Sequence, residues 1–262
     1  MRILGFSQIR DMLVRLAPSR LSKEAARALK PDTDEDTVVK SLTDTEEAVV
    51  CLEREGQIPL GGITDIRPFL EKAKREVTLS ADECIAVWEN AQRYGQIQNF
   101  FAPKEAEYPQ LSQRAETLGD FSLLVQRVGA VFDENHQVRD NASVELARLR
   151  TRIAELERRT KRYIQQILAD KSYQKYFQDT LVTVRNNRSV IPVKQEYRHA
   201  FPGIVHDMSA SGATLYVEPL AVVDANNDLQ TAKLAEEKEI ERIYRRLTAL
   251  IAGQYEELYK ST

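Results

Sequence analysis

His206, Asp207, Ser209 and Ser211 lie within one short stretch and supply the three residue types of a hydrolytic triad: base, acid and nucleophile. Their spacing argues against that use. Adjacent residues of a strand point to opposite faces, triad members converge from separate loops, and no strand-to-helix elbow surrounds Ser211. His136, His199 and His206 are too irregularly spaced to predict a zinc site. Cys51 and Cys84 lack metal-ligand spacing and sit in helical patterns, which predicts buried, reduced thiols. Gly61-Gly62 lacks the spaced glycine and Lys-Ser/Thr of a phosphate-cradling loop and reads as a turn. No catalytic, cofactor-binding or metal-ligating residue is therefore assigned.

Charge is the stronger signal. The chain carries 37 bases and 40 acids, a net of −3, but they are segregated. Residues 32–57 hold nine acids against two bases, whereas residues 148–198 hold thirteen bases against five acids, a local net of +8. Arg158, Arg159, Lys161, Arg162, Lys171, Lys175, Arg185, Arg188, Lys194 and Arg198 are interleaved with Tyr163, Tyr173, Tyr176, Phe177, Tyr197 and Phe201. Such a mixture holds phosphates by charge and lays rings on sugars or exposed bases. We take Arg158, Arg159, Lys161, Arg162, Arg185, Arg188, Lys194 and Arg198 as the candidate nucleic-acid-binding residues. The competing reading is a solvated basic face whose tyrosines complete a helix seam.

These residues need a scaffold, and the composition predicts a mainly helical one. Of 262 residues 42% are apolar, and Gly (10) and Pro (9) are too sparse for a strand-and-turn architecture. No stretch approaches the roughly 18 apolar residues of a membrane helix and no signal peptide opens the chain, so a cytoplasmic location is expected. Residues 1–140 read as short amphipathic helices: Ile9 to Leu16 closed by Pro18, Leu21 to Leu29 closed by Pro31, and a third capped within 32–36 and ending at Gly56. Ser80 and Glu83 form a capping-box signature, and two further helices follow around 111–118 and 121–131.

Beyond this body, Leu146, Leu149, Ile153, Leu156, Thr160, Tyr163 and Ile167 recur at spacings of 3 and 4, the mark of a heptad seam. A second apolar-striped segment runs over 222–259. The two predict helices about 50–60 Å long, paired antiparallel. Between them, 181–185 and 189–193 flank Asn186-Asn187, and 203–207 and 213–217 flank 209–212, two hairpin signals. Pro192 places its run at an edge or a strand end. The expected architecture is a helical core (1–140), a two-helix coiled-coil lever (141–178 and 220–262) and a small antiparallel β module (179–219) at its tip.

The segment LVTVRNNRSVIPVKQEYRHAFPGIVHDMSASGATLYVE at 181–218 closely resembles the signature region of the bacterial MutS-two subfamily, the MutS paralogue without mismatch-reading N-terminal domains. GQIPLGGITDIRP at 56–68 and NNDLQTAKLAEEKEIERI at 226–243 fit the same family. Asn187 and Ser189 stand where that family usually has glycine and an aromatic residue, and Met208 where it has glutamine. The resemblance implies the MutS core and lever with a reduced clamp. For the parent protein it implies a homodimeric ATPase, using ATP and Mg, that usually carries a C-terminal Smr endonuclease domain. It further implies action on branched DNA to suppress recombination and on collided ribosomes to split or rescue them. The present residues would supply grip and lever, neither binding ATP nor cutting DNA. The last five residues stop inside a helical pattern, as expected of a segment. The alternative from a different class is a coiled-coil scaffold whose β tip binds a protein.

Overall fold

The computed structural model describes residues 5–17 and 19–262; Pro18, expected to close the first helix, lies outside them. In chain order the helices and strands are α1 (Phe6–Leu16), α2 (Arg20–Ala28), α3 (Glu35–Glu55), α4 (Arg67–Lys74), α5 (Ala81–Phe101), α6 (Pro109–Glu116), α7 (Ser122–Gly129), α8 (Val144–Ala169), β1 (Thr183–Arg185), β2 (Arg188–Lys194), β3 (Gly203–Met208), β4 (Thr214–Pro219), α9 (Val223–Gly253) and α10 (Tyr255–Ser261). They form two compact units, residues 1–139 with 243–262, and residues 140–242.

The first unit is helical, and α5 is its most deeply buried helix. Ser80 and Glu83 cap it reciprocally, as the sequence predicts, and Cys84, Ile85, Val87, Ala91, Tyr94, Ile97 and Phe101 are buried along it. Asp34 caps α3, and Gly56 ends that helix at φ 77, a conformation glycine takes without strain. Cys51 and Cys84 are buried free thiols, and desolvation pushes the Cys84 thiol up to about 12. Gly61-Gly62 is a turn. Asn90, itself buried, pins the residues after it by accepting from the Thr64 amide (3.0 Å) and donating to the Thr64 carbonyl (2.7 Å). Helix α4 carries no sequence expectation of its own; it opens with Pro68 in its first turn and buries Leu70 and Ala73.

The second unit is built on α8 and the first two-thirds of α9. Ser143 bonds Glu239 (2.6 Å), Arg150 pairs Glu236 (2.8 Å), Ile153 and Leu156 cluster with Leu229 and Ala232, and Glu157 pairs Lys233 (2.8 Å). Contacts that climb one helix while descending the other define an antiparallel pair. Both helices are shorter than the sequence suggests. α8 (26 residues) stops at Asp170, which turns to extended backbone, and α9 (31 residues) stops at Gly253, so they span about 39 and 46 Å.

The buried stripe of α8 also departs from the expected heptad. Leu146, Leu149, Ile153, Leu156 and Thr160 are buried as predicted, but the next positions are Ile164 and Leu168, while Tyr163 is exposed. A straight helix drifts relative to a strict seven-residue repeat, and spacings of 4 and 4 after Thr160 follow the natural period. The shift turns Ile164 and Leu168 toward Ile191, Val193, Leu215 and Val217 of the sheet. Thr160 sits at the change, buried, with a hydroxyl that has no hydrogen-bond partner. Thr160→Val keeps the shape and removes that unsatisfied group, so chemical denaturation should show unchanged or greater stability, by about 1 kcal/mol.

The sheet is antiparallel with order β1-β2-β4-β3. Asn186 (φ 49) and Asn187 (φ 60) form the first hairpin turn, so asparagine adopts the left-handed conformation here. The β3–β4 turn closes on Gly212 (φ 72). Pro192 lies inside an inner strand, opposite Tyr216 of β4, contrary to the edge or strand-end position the sequence suggests. Its carbonyl accepts from the Gln178 amide (2.9 Å), so its missing N–H faces residues 177–178, on the side of β2 that β1 covers only as far as Val190, and faces away from β4. The β2–β4 ladder therefore loses no bond at Pro192.

Candidate nucleic-acid interface

Because α8 buries one stripe, its opposite face is free for polar residues. Arg158, Arg159, Lys161 and Arg162 are all exposed. Arg158, Lys161 and Arg162, with Glu155 and Gln165, line a shallow groove between their own side chains. Arg158 donates to the Ala154 carbonyl (3.2 Å), which holds its guanidinium along the helix. Arg159 points elsewhere, bonding the Tyr163 hydroxyl (3.3 Å) with its cation 5.5 Å from that ring. Among the described residues, no carboxylate comes within ion-pair distance of these four bases.

The bases of the sheet are placed differently. Arg185 pairs with Asp207 (3.2 Å) and lies 4.2 Å over the Tyr216 ring. Arg188 pairs with Glu218 (3.0 Å), whose side chain is only 1% exposed. Lys194 donates to the Lys175 carbonyl (3.3 Å), and Arg198 is exposed. The eight candidate residues therefore fall into two classes: among the described residues the α8 cations, Lys194 and Arg198 have no carboxylate partner, whereas Arg185 and Arg188 are committed to acids.

Glu218 organises the polar interior of this unit. His206 Nε2 donates to it (2.6 Å), as do Arg188 and the Asn226 amide (2.7 Å). Burial raises the carboxyl pKa, but the hydrogen bonds from Asn226, His206 and Arg188 outweigh it and hold the group below its ordinary range. Asn226 also accepts from the Ser189 amide (3.4 Å) and donates to the Ser189 carbonyl (3.2 Å), standing in for a strand where the pairing of β2 with β4 has ended. Neither Glu218 nor Asn226 is marked out by type or spacing; only strand pairing brings Glu218 to Arg188, thirty positions away. His206 engages Glu218, Asp207 engages Arg185, and Ser209 and Ser211 bond each other (3.3 Å). Among the described residues no group of His, Cys, Asp and Glu is placed to hold a metal ion, and no helix is long and apolar enough to cross a membrane.

Fold and site together define a mainly helical chain with a two-helix, four-stranded unit that presents a basic helix face. No protein-family model matches the chain. It is similar along its length to the Endonuclease MutS2 of Geobacillus sp. (strain WCH70), 38% identical over 264 residues that cover all of this chain and 34% of that protein. It is 40% identical over 259 residues to the Putative endonuclease MutS2 of Bacillus subtilis (strain 168), covering 98% of this chain and 33% of that one. The Endonuclease MutS2 of Symbiobacterium thermophilum is 38% identical over 258 residues. The chain thus spans about a third of the length of the curated relatives it matches.

Proposed function

We propose that the chain is the core, lever and clamp segment of a MutS2-type protein and that its second unit grips nucleic acid through the α8 face. The observation that carries this is the row Arg158, Lys161 and Arg162, exposed and, among the described residues, without carboxylate partners. Guanidinium forks bind phosphate oxygens in pairs and lysine adds a point charge, so such a row follows a phosphate backbone without reading sequence. The similarity to proteins named Endonuclease MutS2 supports DNA as the polyanion. The whole protein, on this reading, is a homodimeric cytoplasmic ATPase with an endonuclease. It works on branched DNA, suppressing recombination, and on collided ribosomes, and its ATP and Mg are held by residues outside these 262. The 262 residues supply binding, and α8 with α9 forms the lever that ATP-driven changes would act through.

A second reading, a scaffold whose sheet docks on a protein, is favoured by one observation: Leu181, Val184, Ile204 and Met208 are exposed on or beside the strands. Salt separates the two. Titrating labelled duplex and four-way branched DNA at several salt concentrations should give log K falling against log [salt] with a slope near −3, about 0.9 for each of three phosphates. No binding, or binding indifferent to salt, overturns the nucleic-acid reading.

A further inference from the structure

Tyr176 and Tyr197 each stand at the end of a short 3-10 turn, 174–176 and 195–197. Their rings are 4.9 Å apart. Tyr173 continues the row 6.0 Å from Tyr176, and Phe201 and Phe177 carry it into the apolar cluster around Ile164 and Leu168. The inner phenylalanines are buried, whereas the three tyrosines are half-buried. Backbone pairing holds the two turns together: Phe177 bridges Val193, and the Gln178 amide donates to the Pro192 carbonyl (2.9 Å). Lys175 places its ammonium over the Tyr176 ring, 5.1 Å from its centroid, and Lys194 reaches the Lys175 carbonyl, which brings a second cation to this turn. Arg198 follows Tyr197, with Glu196 the opposing charge on that turn.

We propose that the Tyr176–Tyr197 ring pair, with Lys175 and Lys194 beside it, is a stacking subsite for an unpaired nucleobase. The proposal rests on the nucleic-acid reading above and names the feature of the polyanion that this unit selects. Two half-buried rings, tilted 44° to each other, beside two ammoniums offer a base a π-face while the adjoining phosphates are neutralised. In continuous duplex the base faces are occupied by neighbouring pairs. Single strands and branch points present them free.

The test uses the full chain and three labelled probes: a 20-mer of deoxythymidine, a 20-mer of uridine and a blunt hairpin duplex. Tyr176→Leu with Tyr197→Leu keeps the apolar cover but removes the π-surface. The ratio of single-strand to duplex affinity should fall by about five- to a hundredfold. Tyr176→Phe with Tyr197→Phe should restore it. A deoxythymidine strand carrying one 2-aminopurine should lose fluorescence on binding the unmodified protein, a readout that stands even if the leucine variant melts early. The two 20-mers show whether DNA or RNA supplies the base. An unchanged ratio in a folded leucine variant, or absence of quenching, overturns the subsite while salt-dependent duplex binding leaves the grip on α8 standing. If the unmodified protein binds none of the three probes, both fall.

Discussion

Glu218→Ala should destabilise the second unit by about 3 kcal/mol. The carboxylate is almost wholly enclosed, and its loss strands an arginine, a histidine and an amide that all point into the space it leaves. The figure belongs at the lower end for a broken buried pair, because the Arg188 and His206 side chains keep 24% and 20% exposure and so some access to water. Denaturant unfolding followed by far-UV circular dichroism reads the loss. Trp88, the only tryptophan, belongs to the first unit, so its emission should change little at the same denaturant concentration. A two-unit chain need not unfold in one step, and these two signals separate the units. The effect also depends on pH. Glu218 is held below its ordinary value of 4.5, so its ionised form stabilises the fold in full above that value and the benefit is lost as pH falls through the depressed one. The stability gap between the unmodified protein and Glu218→Gln, which cannot titrate, should therefore be widest near neutrality and narrow in acid. A constant gap from pH 7 to pH 3 would remove the carboxylate from this role.

Reversing Arg158, Lys161 and Arg162 together to glutamate should abolish most nucleic-acid affinity while leaving the fold intact. Glutamate is as good a helix former as the residues it replaces, and all three positions are exposed, so the dichroism spectrum should be unchanged. Loss of three phosphate contacts should flatten the salt slope by about 3, and counterion release alone puts the loss at 0.1 M salt on the order of 10²–10³-fold. Unchanged affinity and slope would place the grip elsewhere. The same reversal at Arg185, Arg188 and Lys194 makes a poorer test. Arg188→Glu would set a second carboxylate against Glu218, and any loss of binding would be inseparable from loss of the fold.

That contrast shows where sequence stops being readable. Both hairpins are legible because Asn186-Asn187 and Gly212 are residues that tolerate positive φ, a local property. Helix starts at Asp34 and Ser80 are legible because their side chains cap the first turn, again a local property. The seam of α8 can be read as far as Thr160, after which its continuation depends on what packs against it; the sheet, distant in sequence, buries Ile164 and Leu168, leaves Ile167 half-buried against the same cluster and Tyr163 exposed. The basic residues are legible as a cluster, but sorting them into partnered and unpartnered ones requires knowing that β2 lies beside β4. An arginine and a glutamate on facing strands are a usable signal once the register is known, and composition alone does not supply it.

The irregular strands also bear on how this sheet behaves in a crowded solution. Its two outer strands are the ones a neighbouring molecule could extend, and several large apolar side chains lie on them or beside them. β1 offers three residues, too few to template a stable addition. β3 breaks register between Val205 and Asp207, so an incoming strand that matches one half of this edge is out of step with the other. Phe177 and Gln178 pair with Val193 and Pro192 where β1 has ended, and Asn226 occupies the hydrogen-bonding positions at Ser189. Irregularities that look like imperfect sheet geometry therefore keep the module from seeding cross-strand aggregation, leaving its exposed apolar side chains accessible without inviting backbone pairing.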